Sequence, residues 1–208
     1  QNEAEAKKIA SDAQKKTYQI GSVTKKSISR IPAAPFTTST MQQEAARKLG
    51  FSAKQTMMIA QRLYEEGFIT YMRTDSTRLS ADAVASVREY IYSNYGAEYL
   101  PKEKREYKKG KSSQDAHEAI RPTSIKFTPK YIKKHLDKDL YALYQLIWNR
   151  FVASQMSNAT FEQLTVDITG GIYLFRATGS VPIFRGFLQV YDDVMEEQGI
   201  DTDEDPTS

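Results

Sequence analysis

The segment TTSTMQQEAARKLGFSAKQTMMIAQRLYEEGFITYMRTDSTRLS, Thr37–Ser80, decides how this chain is read. Most of it is patterned as two helices. Ser39 with Gln42, and Ser52 with Gln55, have the spacing of a capping box. The first helix runs from about Thr40 to Leu49, and Gly50 closes it. The second, Ala53 to Glu66, places Met57, Ala60, Leu63 and Tyr64 on one face and ends at Gly67. Phe68 to Tyr71 then reads as a short strand. Helix, tight turn, helix, glycine and strand make the outline of a winged helix-turn-helix. The segment closes on an unusual cluster. Tyr71, Arg73 and Asp75 crowd together where a solvated loop would carry more Gly and Asn, and where a core strand would carry no paired charges.

Upstream, residues 1–16 read as a polar helix with a weak stripe of Ala4, Ile9, Ala10 and Ala13. Thr17 to Ile31 alternates and is rich in Ile, Val, Thr and Ser, as a strand pair or one long strand. The run Ile31-Pro-Ala-Ala-Pro35 breaks regular structure and marks a boundary. Downstream, Ser80 caps a helix over Ala81–Asn94 whose apolar face is Val84, Val87, Tyr90 and Ile91, and Gly96 stops it. Residues 101–115 form a charged loop. Ala116 to Arg121 reads as a helical turn cut off by Pro122. Tyr131 to Ala153 reads as one or two helices. After Ser154 the period changes to two, with strands expected at Thr160–Ile168, Gly171–Ala177 and Gly186–Tyr191. The layout is α+β: a helical, winged-helix-like lobe at 35–153, inserted between two β-rich parts at 1–34 and 154–191. Residues 192–208 read as a disordered acidic tail or linker.

A chain of 208 residues permits one or two domains and a sizeable core. It contains no cysteine, which excludes disulfides and thiolate metal sites. No apolar run approaches the roughly 18 residues of a membrane helix, and no signal-peptide core is present. The chain opens at Gln1 inside a helical pattern, so a piece of a longer protein is expected. Its net charge of +3 hides an asymmetry: eight acids and no Lys or Arg lie from Asp192 onward, leaving 29 basic against 18 acidic residues before it. Such a body suits a polyanion such as nucleic acid, although a merely lysine-rich protein has the same composition.

The tyrosine cluster has a chemical logic. A phenol is a weak nucleophile at its free pKa of about 10, and a neighbouring cation favours the phenolate. On a strand, residues i and i+2 share a face, so Tyr71 and Arg73 stand side by side. Arginine grips phosphate through two parallel hydrogen bonds. One group can bind a phosphate while the other attacks it, which matches the positioning and charge stabilisation that phosphoryl transfer demands. Asp75 could orient Arg73 or move a proton. Against this, most of the 13 tyrosines must be packing or surface residues. In the second constellation, Ala116–Thr123, a helical turn puts His117 and Arg121 on one face to hold a phosphate. His117 could instead protonate a leaving sugar oxygen. The plain alternative is a Glu118–Arg121 ion pair on a surface helix. HEAIR is not a two-histidine zinc motif, because Arg121 stands where the second histidine would be. Asp201-Thr-Asp-Glu-Asp205 lacks the rigid strand a magnesium cluster needs.

Thr37–Ser80, followed by SQDAHEAIRPT at Ser113–Thr123, resembles the bacterial type IA DNA topoisomerases, and the likeness covers essentially the whole chain. The resemblance implies that Tyr71 attacks one DNA strand to become a 5′-phosphotyrosine, with Arg73 on the scissile phosphate. His117 and Arg121 would line the same site as phosphate-binding residues, supported by Thr74, Asp75 and Glu118. It also implies that the magnesium ligands and a general-acid glutamate belong to a toprim domain to which nothing here corresponds, so no metal ligand is expected in this chain. The helical lobe would lift from a β arch to open a gate. Partners would be single-stranded or negatively supercoiled DNA and the remaining domains of the parent chain, in the bacterial cytoplasm at the nucleoid and away from membranes. The tyrosyl ester conserves the phosphodiester bond energy, so no ATP is needed, and no GxxxxGK[ST] loop is present. The competing reading is a winged helix-turn-helix DNA-binding module without catalysis.

Overall fold

A computed structural model describes residues 2–107 and 117–192. The chain forms two compact units, each built from separated stretches: 1–30 with 159–185, and 31–158 with 186–208. The acidic tail expected beyond Asp192, the Asp201–Asp205 run and most of the 101–115 loop lie outside the described residues.

The first unit holds helix α1 (Glu3–Gln14) and strands β1 (Gln19–Arg30), β2 (Ala159–Gly170) and β3 (Tyr173–Phe184). The strands pair antiparallel in the order β1-β2-β3. The Thr17–Ile31 stretch thus yields one long strand, Gln19–Arg30, and not a strand pair. Gly171, at φ 61°, makes the tight β2–β3 turn possible. Tyr18 and Tyr173 pin α1 to the sheet. The Tyr173 hydroxyl donates to the Asp12 carboxylate at 2.9 Å, and the Tyr18 ring meets Phe175 edge-on at 5.4 Å.

The second unit holds α2 (Thr38–Leu49), α3 (Ala53–Glu65), α4 (Ala81–Tyr95), α5 (Pro129–Ile132) and α6 (Lys138–Ser154). The apolar run of α6 is buried on nearly all sides, as expected of a central helix. Leu143, Tyr144, Ile147 and Phe151 of α6 form the core with Met41, Leu63, Ile69 and Met72, each 0–1 % exposed. Each such side chain contributes about 1.5–3 kcal/mol by leaving water.

Several expectations are corrected. Thr37, rather than Ser39, caps α2, in a reciprocal pair with Thr40. Thr37 precedes the first free N–H groups, so its hydroxyl reaches them where that of Ser39 does not. On α3 the buried residues are Thr56, Ile59, Ala60 and Leu63, while Tyr64 is 40 % exposed. Phe68 to Tyr71 is no ladder strand; only Ile69 bridges, to Pro122. Residues 117–121 are not helical, because Pro122 disfavours the helical region for the residue before it. Gly186–Tyr191 is a 3-10 turn, Gly186–Leu188, running into a helical turn instead of a strand. Gly186, at φ 51°, lies where an added Cβ would stand 2.3 Å from the Asn158 carbonyl oxygen, so only glycine fits this turn. Asp192, within that turn, is buried, 3 % exposed, and is not tail. Among the described residues no helix is long and apolar enough to cross a membrane.

Candidate active site

The segment after α3 runs with period two although it joins no sheet. Met72, Thr74 and Ser76 are buried, and Tyr71, Arg73 and Asp75 between them are exposed. The expected shared face therefore exists without a ladder. Backbone groups outside a sheet need other partners, and Thr38, in the first turn of α2, supplies them. Its hydroxyl accepts from Thr74 N–H at 2.9 Å and donates to Met72 C=O at 2.8 Å, while its N–H donates to Thr74 C=O at 2.9 Å. Thr74 in turn accepts from Ser76 N–H at 3.0 Å, a local turn that holds the chain beyond Arg73.

The His117–Thr123 segment lies along the same stretch in extended form. Ala119 N–H donates to Arg78 C=O and Ile120 N–H to Phe36 C=O. Thr70 is the rivet. Its N–H donates to Arg121 C=O at 2.9 Å and its hydroxyl to Ala119 C=O at 2.7 Å, while Arg121 N–H donates back to that hydroxyl at 3.0 Å. This sewing sits one residue before Tyr71, so the two motifs meet. His117 Nδ1 lies 3.9 Å from Asp75 Oδ1.

The two arginines are in opposite situations. Arg121 is caged: Nε and Nη2 donate to the two Glu118 oxygens at 2.8 and 3.1 Å, and Nη1 donates to Pro122 C=O at 2.8 Å. Glu118 also accepts from Ser80 N–H at 2.8 Å, tying the cage to the start of α4. The plain ion-pair alternative is thus the observed one for Arg121, formed by extended backbone and not by helical spacing. Arg73 is exposed, and its guanidinium has no partner among the described residues. Tyr71 is 47 % exposed, with the ring of Tyr64 edge-on at 5.2 Å. By contrast, burial pushes the phenols of Tyr107, Tyr144 and Tyr191 up, which disfavours them as nucleophiles.

Burial also pushes Glu118 up, but Arg121 and the Ser80 N–H outweigh it and hold the carboxyl below its ordinary value. A depressed folded-state pKa adds stability above the unfolded value and loses it as pH falls through the folded one. Glu118→Gln should therefore cost about 1–2 kcal/mol at pH 7, and the gap to the unsubstituted chain should close below about pH 4. Urea midpoints measured at the two pH values check this. An equal gap at both would mean that the carboxylate charge does not matter.

The sequence pattern does not single out Thr38 or Thr70, and it marks Ser80 only as a helix cap. Only the density of hydroxyls ahead of α2 hints at the first. Thr38→Val keeps the shape but orphans Thr74 N–H and Met72 C=O, at a cost of about 1–3 kcal/mol. Thr38→Ser should stay within about 0.5 kcal/mol of the parent, and denaturation of both variants tests it.

Among the described residues no three His, Cys, Asp or Glu side chains converge to hold a metal. Asp75 faces His117, and Glu118 is committed to Arg121 and Ser80. The described residues of this face do not fit a magnesium site.

Comparison with known proteins supplies the class: residues 1–205 match the family model described as DNA topoisomerase. DNA topoisomerase 1 of Rickettsia felis is 47 % identical over 212 residues, covering 95 % of this chain and 27 % of that protein. The full-length topoisomerase I structure from Thermotoga maritima matches with a TM-score of 0.77 at 39 % identity, over 89 % of this chain and 31 % of that one. The chain belongs to the bacterial type IA DNA topoisomerase family. It spans 27 % of the length of the Rickettsia protein.

Proposed function

We propose that this chain carries the strand-cleaving tyrosine of a type IA topoisomerase and that Tyr71 is its nucleophile. The observation that carries the reading is the exposed Tyr71–Arg73–Asp75 face, held from both sides by hydrogen bonds while Arg73 keeps its donors free among the described residues. The Tyr71 oxygen attacks a backbone phosphorus and the P–O3′ bond breaks. The phenol proton leaves, the O3′ leaving group takes up a proton, and the 5′-phosphate stays on Tyr71. Religation reverses each transfer. Arg73 holds the phosphoryl oxygens as negative charge develops on them. His117, backed by Asp75, contacts the phosphate or hands a proton to O3′. Arg121 acts in this reading as a positioning residue. Its charge is committed to Glu118, and its backbone fixes Thr70 beside Tyr71. Thr74 holds the turn after Arg73.

The first unit would be part of the β arch, and the second the winged-helix-like lobe whose withdrawal opens a gate for a second strand. The substrates would be single-stranded regions of negatively supercoiled DNA in the bacterial cytoplasm. Magnesium would be bound by a domain of the parent protein, and no step above passes through it. Incubation of the parent protein with labelled single-stranded DNA should trap an SDS-resistant adduct. Sequence-selective duplex binding without an adduct would favour the DNA-binding module instead.

A further inference from the structure

Within the second unit, a ladder of rings climbs from the neighbourhood of Tyr71 to the surface at α5. Phe68, half-buried, meets Phe127 edge-on at 5.9 Å. Phe127 stacks on Tyr131 with 15° between planes at 6.2 Å, and Tyr131 meets His135 at 5.7 Å. Tyr131 is 52 % exposed, and His135 is exposed at the outer end. Core packing does not require such exposure.

The surface around this ladder is basic. Lys126, Lys130, Lys133 and Lys134 are all exposed, and none has a carboxylate partner among the described residues. From Thr123 to Leu136 there is no acid, in a chain that carries 26 of them. Lys134 lies over the Tyr131 ring and Lys133 over the Tyr141 ring, both at 5.8 Å. The nearby acids are engaged elsewhere, Asp137 with Arg62 and Asp139 with Gln55.

We propose that this surface is a stacking platform for single-stranded DNA, separate from the Tyr71 phosphate site. A nucleobase continues the ladder at Tyr131 and His135, and the lysines track the phosphates on either side. Every base has a π-face, so stacking of this kind tolerates sequence. Duplex DNA offers no unstacked base and gains only from the charge. The inference rests on the reading of the chain as DNA-handling and adds a second point of grip on the strand.

The test is equilibrium binding of a fluorescent oligo-dT of about 15 nucleotides, the span of one to a few single-strand sites, to the 208-residue chain, followed by anisotropy. Tyr131→Ala with His135→Ala should weaken it by roughly fivefold to a hundredfold, the range seen for loss of one stacked base. Lys133→Glu with Lys134→Glu should weaken it too and make log K less steep against log salt by about 0.7 for each phosphate no longer neutralised. A 2-aminopurine in the oligonucleotide should be quenched by the parent chain and not by the ring variant. Both sites are exposed, and unchanged circular dichroism confirms folding. Parent-like binding by the ring variant would overturn the proposal. So would an equal loss of duplex affinity, or equally tight binding to phosphatidylserine vesicles. Cleavage plays no part in the readout, so failure to trap an adduct on the parent protein would strike the Tyr71 reading alone.

Discussion

Tyr71→Phe, made in the parent protein, should abolish the covalent DNA adduct and slow supercoil relaxation by on the order of 10⁴-fold or more. The substitution removes one oxygen and leaves the ring. Its edge-on contact with Tyr64 and the hydrogen bonds of Thr38 and Thr70 do not involve that oxygen, so the scaffold should stand. Tyr64, whose ring touches Tyr71, lies in the last turn of α3 outside the exposed Tyr71–Arg73–Asp75 row, and burial pushes the phenols of Tyr107 and Tyr144 up. Gel analysis after SDS and relaxation kinetics read both effects. Residual relaxation within about tenfold of the parent would place the chemistry on another residue.

Arg73→Ala should lower the cleavage rate by about 10²–10³-fold, the loss typical of one donor aimed at developing charge. It should leave stability nearly unchanged, because Arg73 is exposed and has no partner among the described residues. Arg121→Ala should behave in the opposite way. It strips Glu118 of its counter-charge and removes the side chain's bonds to Pro122 C=O and the Ser80 hydroxyl, so it unfolds more easily and loses activity through position. Single-turnover cleavage and urea denaturation on both variants separate the roles. An Arg73→Ala protein that was unstable but chemically competent would reverse the assignment.

The helices of this chain are legible because their signals are local. Ser52, Ser80, Gly50 and Gly67 stand at the ends that the pattern marks. The long strands are legible through alternation. The conformation of His117–Thr123 is not, because its backbone partners at Phe36, Phe68, Thr70 and Arg78 are remote in sequence. Helical spacing is the available local guess, and Pro122 is the clue against it. Gly186–Leu188 fails for a related reason, since a glycine forced into a turn by the Asn158 carbonyl looks locally like a strand break. The Tyr71–Arg73 face follows correctly from the period, although the ladder assumed to enforce it is replaced by the Thr38 hydroxyl. Family resemblance singles out Tyr71 among the tyrosines; residue chemistry alone does not.

Mass spectrometry of the trapped complex tests the central claim most directly. Trypsin releases Leu63–Arg73, a peptide containing both Tyr64 and Tyr71, whose rings touch. Fragmentation should place a 5′-linked nucleotide on Tyr71 and leave Tyr64 unmodified. A nucleotide on Tyr64, or on any peptide outside this one, would contradict the account.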